Sequence, residues 1–231
     1  VRSVGFHPDG QQVVTGDTEG NVILWDSTTG KEIRRIMIPE GVQVTTLDIS
    51  PDGKTVLTSV GQSKITLWNL ETGTEIRTFE GHTQPILEVT FSPDGTQILS
   101  GSEDRRMILW DTASGKRLNT FLNTAWVMGV AFNADGSQLL SSTIDHEVVL
   151  WDTNTGEALR VFNEHQGWVL DVDFTADGKA ALSASDDGTL ILWRLDTLDE
   201  LKAWAHTHRH VRELTCLENA EFGLTTMESC E

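Results

Sequence analysis

An all-β fold, built from one four-stranded antiparallel sheet repeated along the chain, is predicted by three observations. Five tryptophans, Trp25, Trp68, Trp110, Trp151 and Trp193, each close an apolar run, at intervals of 43, 42, 41 and 42 residues. A second series keeps step with them: Pro-Asp-Gly at 8–10, 51–53 and 93–95, then Ala-Asp-Gly at 134–136 and 176–178. Between these markers, short apolar segments alternate with turn-forming residues. Two independent series in register define an array of one repeated unit.

Residues 86–121 show how one unit works. Ile86–Phe91 alternates, with Ile86, Val89 and Phe91 as candidates for burial. Pro93-Asp94-Gly95 turns the chain, Pro fixing φ and Gly permitting positive φ. Gln97–Gly101 reads as a second short strand, and Glu103-Asp104-Arg105 as a tight connection. The same place in the fifth unit is Asp186-Asp187-Gly188, a stronger hairpin signal. Met107–Trp110 is apolar throughout and is expected to be buried on both faces. Asp111 to Gly115 makes the next turn, and Lys116–Phe121 a more polar fourth strand. A four-stranded sheet alone has two apolar faces that it cannot bury. Copies stacked around an axis bury both.

These units resemble the WD repeats of the WD40 family, whose sheets are the blades of a β-propeller. The resemblance covers essentially the whole chain. It implies a structural tetrad in each blade: a His before the first strand, a Ser or Thr on the second, an Asp in the following turn, and the Trp. The matching residues are His82, Ser102, Asp104 and Trp110 in the third unit, and His165, Ser185, Asp187 and Trp193 in the fifth. The fourth unit keeps Thr143, Asp145 and Trp151 but has Asn123 at the His position. The second has Glu40, Val60 and Gln62 there, with only Trp68 matching. The first shows Asp17, Glu19 and Trp25.

The blades are expected at about 1–38, 44–80, 86–122, 127–163 and 169–204. Residues 211–231 read either as two strands of a sixth blade or as one strand followed by an irregular or helical tail. In the first case Val211, Leu214, Cys216 and Leu224 match Val169, Val172, Phe174 and Leu182. Propellers of this family close with more blades than five, so the array is expected to be the C-terminal part of a larger ring. The wording of the tail also resembles the C-terminal propellers of large multidomain bacterial WD-repeat proteins. That likeness implies a sensor that restrains an upstream ATPase, kinase or protease.

A formal net charge of −18 argues against nucleic acid or an acidic membrane surface as partner, since both need clustered Lys and Arg. Two cysteines, Cys216 and Cys230, do not make a disulfide framework, so a reducing cytoplasm is expected. No apolar stretch has the length of a membrane span, and no signal peptide is visible. Phosphate-binding loops, nucleophile elbows, zinc-protease helices and dinucleotide fingerprints are all missing, so no enzyme activity and no cofactor are expected. His206, His208 and His210 alternate and could share one face around a metal ion. With no Cys or carboxylate at a familiar zinc spacing, they read instead as the loop into a last strand. Asp26, Asp111 and Asp152 sit where turns need them, without the twelve-residue loop of a calcium hand.

Trp126 and Trp168 stand outside the strand-closing series. Each precedes the first residue of an inner strand, where other units have Gln43, Pro85 and His210. By resemblance, this point, the residue two further on and the one before the tetrad Asp line the top rim of the propeller. The second set is Arg2, Thr45, Leu87, Met128, Leu170 and Arg212; the third is Thr18, Gly61, Glu103, Ile144 and Asp186. Trp126, Met128, Ile144, Trp168 and Leu170 are then expected to form an apolar patch, with Leu87, Glu103 and Asp186 beside it. Exposed patches of this kind mark partner surfaces, and Trp is a favoured anchor. The blander reading is that both rings fold down as lids on the core. The expected function is a non-catalytic scaffold for a protein or peptide partner. Self-association that completes the ring is a further alternative.

Overall fold

The computed structural model describes residues 1–38, 43–60, 63–196, 200, 202, 203 and 207. The chain divides into two compact units, Val1–Arg194 and Leu195–Glu231. The first unit holds five antiparallel sheets in which each strand pairs with the next in sequence. They comprise β1 (Ser3–Phe6), β2 (Gln12–Gly16), β3 (Asn21–Asp26) and β4 (Glu32–Met37); then β5 (Leu47–Ile49), β6 (Thr55–Val60), β7 (Lys64–Asn69) and β8 (Glu75–Glu80). The third has β9 (Ile86–Phe91), β10 (Gln97–Ser102), β11 (Arg106–Asp111) and β12 (Arg117–Leu122). The fourth has β13 (Val127–Phe132), β14 (Gln138–Thr143), β15 (Val148–Asp152) and β16 (Ala158–Phe162); the fifth has β17 (Val169–Phe174), β18 (Ala180–Ser185) and β19 (Leu190–Arg194). This is the all-β architecture of propeller blades.

The first strands of successive sheets, β1, β5, β9, β13 and β17, lie side by side, so they are the innermost strands of the unit. The core fills the seams between sheets. Leu99, Met107, Leu109 and Phe121 of the third sheet pack against Val127, Val130, Leu139, Val149 and Trp151 of the fourth. The same seam joins the second sheet to the third through Leu57, Ile65, Leu67 and Phe79. One face of the fifth sheet has no such cover among the described residues. Leu182, Leu190 and Leu192 are 42%, 69% and 61% exposed, whereas their counterparts Leu99, Met107 and Leu109 are 0%, 0% and 3% exposed.

The fifth sheet departs from expectation in a second way. The repeat predicts a fourth strand ending near Trp204, yet the described residues Glu200, Lys202, Ala203 and Thr207 are helical. The cause is local. The fourth strands β4, β8, β12 and β16 carry Ile, Thr, Val and Phe, while residues 199–205 offer Glu, Leu, Lys and Ala, which favour helix. The Thr207 hydroxyl donates to the Ala203 carbonyl, a bond across one helical turn. His206, His208, His210 and residues 211–231 lie outside the described residues, as do Glu40, Gly61, Gln62 and Arg212.

In four of the sheets the hairpin between second and third strands places one residue in the left-handed region. Gly20 and Gly188 occupy it at φ 83° and 82°, but Arg105 and His146 are held there at 66° and 69°. A side chain with a Cβ is strained in that region. Arg105→Gly and His146→Gly are each expected to stabilise the protein by about 0.5–1 kcal/mol, read as a rise in melting temperature.

Candidate functional site: the upper rim and the network beneath it

The rim is the end of the sheets where the chain enters β9, β13 and β17. Three backbone hydrogen bonds tie it together. The amides of Glu103, Ile144 and Asp186 donate to the carbonyls of Pro85, Trp126 and Trp168 at 3.0, 3.2 and 3.0 Å. Thus three of the hairpin residues expected on the rim are each joined to the residue that precedes the inner strand of the same sheet. Just below, a β-bulge recurs. Ser102 pairs with Ile86 and Gly101 with Glu88, leaving Leu87 as the extra residue. Met128 and Leu170 are extra in the same way between β13 and β14 and between β17 and β18. A bulge re-aims the side chain it carries, and here it does so at one place on three neighbouring sheets.

Trp126 and Trp168 are 40% and 48% exposed, and Leu170 is 43% exposed. Core lids would be buried. Leu87, Met128, Ile144 and Glu103 are half-buried, and Asp186 is exposed.

A buried polar network lies under the rim, and one of its members differs from expectation. The hydroxyl between His and Trp is Ser100, not Ser102. Its Oγ accepts from Trp110 Nε1 at 2.9 Å and lies 2.8 Å from His82 Nε2, while His82 Nδ1 is 3.0 Å from Asp104 Oδ2. In the fifth sheet the hydroxyl is Ser183 rather than Ser185, at 2.8 Å from Trp193 Nε1 and 2.7 Å from His165 Nε2. His165 Nδ1 in turn is 2.9 Å from Asp187 Oδ2. Ser102 instead donates to the Gln84 carbonyl and accepts from the Asp104 amide; Ser185 accepts from the Asp187 amide. Residues two apart on a strand share a face, so composition alone cannot separate them. Trp110 lies opposite Ile98, and its indole reaches diagonally to Ser100.

The same correction moves the fourth hydroxyl from Thr143 to Ser141, bonded to Trp151 Nε1 at 2.9 Å and to Asn123 Oδ1 at 2.7 Å. Asn123 Nδ2 is left buried without a partner. Thr15 and Thr58 serve Trp25 and Trp68 at 2.8 and 2.9 Å. A signal for all five is present in the chain: a hydroxyl residue stands ten positions before every strand-closing Trp.

Charge states follow from these bonds. Burial lowers the His82 pKa more than Asp104 raises it, which favours a neutral ring that donates from Nδ1 and accepts at Nε2. Asp187 is held far below the usual carboxylate range, chiefly by the Thr189 hydroxyl and then by the Gln166 amide. The turn carboxylates Asp26, Asp111 and Asp152 are also held low, each by amides and hydroxyls of its own turn. Among the described residues, no three His, Cys, Asp or Glu side chains come together to hold a metal ion. None of the described helices is long and apolar enough to cross a membrane.

The family profile of the WD domain, G-beta repeat, matches residues 1–26, 33–69, 73–111, 115–152 and 156–194. The chain belongs to the WD40 family. WD40 repeats are generally protein-interaction scaffolds and typically non-catalytic. No curated protein matches the chain. The WD40 frame also explains why the polar network and the rim occur together: in the third and fifth blades the network pins the hairpin that carries Glu103 or Asp186.

Proposed function

We propose that this WD40 array is a non-catalytic scaffold that holds a protein or peptide partner on its upper rim. Trp126, Met128, Ile144, Trp168 and Leu170 serve as apolar anchors on two neighbouring blades, with Glu103 and Asp186 as acidic flanks. The observation that carries this reading is the exposure of two tryptophans whose backbones are hydrogen-bonded into the rim. Large aromatic side chains on a rigid frame contribute contact area at small entropic cost. The net charge of −18 favours a basic partner and speeds its approach.

The test is a set of peptides selected for binding to the wild-type protein. Trp126→Ala and Trp168→Ala are each expected to weaken most of them by about 2 kcal/mol, near thirtyfold, as truncated interface anchors do. Because both rings are largely exposed, melting temperatures are expected to stay close to wild type. Loss of folding in both variants would make these residues core and remove the rim from the account.

One observation favours a second reading, self-association. The uncovered face bearing Leu182, Leu190 and Leu192 is matched by Val4 and Phe6 on β1, which are 59% and 74% exposed. In the other blades such faces cover one another. Light scattering over a range of concentrations checks it: a mass above that of one 25.5 kDa chain supports assembly, and a constant single-chain mass rejects it.

A further inference from the structure

The third and fifth blades make the same contact between the hairpin and the segment that leads into the inner strand. Asp104 lies 3.0 Å from His82 Nδ1 and accepts from the amides of Thr83 and Arg106, both at 3.0 Å. Asp187 lies 2.9 Å from His165 Nδ1 and accepts from the amides of Gln166 and Thr189 at 2.9 and 2.8 Å. The two carboxylate side chains are 4% and 11% exposed.

Asp145 holds the same place in the fourth blade, six residues before Trp151. It is exposed, and its carboxylate has no hydrogen bond or ion pair among the described residues. Asn123, at the His position, uses its carbonyl on Ser141 at 2.7 Å, and its buried amide nitrogen reaches no acceptor. The tie has moved instead to Glu147, whose Oε2 accepts from the Thr124 hydroxyl at 2.8 Å. The Ile144 amide is bonded to the Trp126 carbonyl, and the Thr143 amide to the Glu147 carbonyl at 3.0 Å. His146 at φ 69° stands where Arg105 stands at 66°, so the turn keeps its form while its anchor changes. The hairpin is thus held on either side of Asp145, and the carboxylate between stays in solvent.

We propose that Asp145 is a partner-contacting residue of the rim, released from the structural pin to accept an N–H donor of the bound peptide next to Ile144. The missing pin leaves a buried amide unsatisfied, which lowers stability. Stability given up at one place in return for a binding group is a common trade in proteins. Because Glu147 keeps the turn in place, the carboxylate is presented from a fixed backbone, and little ordering accompanies binding. This role rests on the rim reading; the release of Asp145 from the pin does not.

The test uses the peptides selected for binding to the wild-type protein. Asp145→Asn is expected to weaken most of them about tenfold, the loss of one hydrogen bond to a charged group. Its melting temperature is expected to match wild type, since Asp145 makes no bond in the free protein. Asn123→His restores the missing ring. It is expected to raise the melting temperature as Asp145 turns inward, and to weaken the same peptides by a similar factor. In an Asp145→Asn background the histidine is expected to have no further effect on binding. An equal histidine effect in both backgrounds would mean that the ring disturbs the rim itself, and would overturn the part assigned to Asn123. If Asn123→His fails to fold, Asp145→Asn alone decides. Replacing each Lys and Arg of a peptide by norleucine identifies the donor: one replacement abolishes the Asp145→Asn effect if it is a cationic side chain, and none does if it is a backbone amide. Peptides that bind Asp145→Asn as well as wild type, yet are weakened by Trp126→Ala, would overturn this proposal and leave the rim reading intact. If neither variant weakens them, both fall.

Discussion

Trp110→Ala is expected to destabilise the protein by about 3–5 kcal/mol in chemical denaturation, the range for deleting a large buried aromatic side chain. Its indole is 2% exposed and is fixed at both ends of its chemistry. The ring packs edge-on to Phe79 and His82, with centroids 5.9 and 6.3 Å away, and its N–H donates to Ser100. Removing it therefore opens a cavity in the seam between the second and third sheets and takes away the donor that the buried Ser100 hydroxyl accepts from. Two serine variants show whether the network runs through Ser100. Ser100→Ala leaves two buried partners unsatisfied, Trp110 Nε1 and His82 Nε2, and is expected to cost about 2–3 kcal/mol. Ser102→Ala removes a bond to the Gln84 carbonyl and is expected to cost about 1 kcal/mol. The reverse order would return the network to the hydroxyl that the sequence alone suggests.

Glu88→Gln is expected to stabilise the protein, and to do so increasingly as pH rises. The ordinary value for glutamate is 4.5; in the folded protein burial first, then the charges of Asp171 and Asp48, push it up to about 8. Between those values the unfolded chain has released its proton while the folded protein keeps it. Wild-type stability therefore falls as pH rises across this window, and the loss is complete above it. A shift of this size bounds the gain for the glutamine variant at roughly 5 kcal/mol. Access of water to the half-buried side chain reduces it, to about 1–3 kcal/mol. Thermal melts at pH 4 should superimpose, and those at pH 8.5 should separate with the variant higher. A variant that melts lower at high pH would mean that the Glu88 carboxylate is already well paired.

Much of this fold is legible in the sequence, because it depends on local chemistry repeated five times. The Trp and Asp-Gly series set the period, and the predicted strands of the third unit agree with β9 to β12 within one residue at each end. Other features are hidden for identifiable reasons. Ser100 and Ser102 share a strand face, so choosing between them needs the diagonal reach of Trp110. The bulges at Leu87, Met128 and Leu170 arise from pairing across strands and leave no local turn signal. The helical residues after β19 do have a local signal in Glu200, Lys202 and Ala203, but it is weaker than the pull of the repeat towards a fourth strand. Glu88 and Asp171 stand two repeats apart in sequence. Only the side-by-side packing of inner strands brings the charge of Asp171 to bear on Glu88.

The most direct test of the rim as a partner surface is hydrogen–deuterium exchange with and without a selected peptide at saturation. Protection is expected over 126–128, 144, 168–170 and 186, with none at the opposite-end turns around Asp94, Asp135 and Asp177. Protection confined to those turns, or to the exposed face of β18 and β19, would contradict the account.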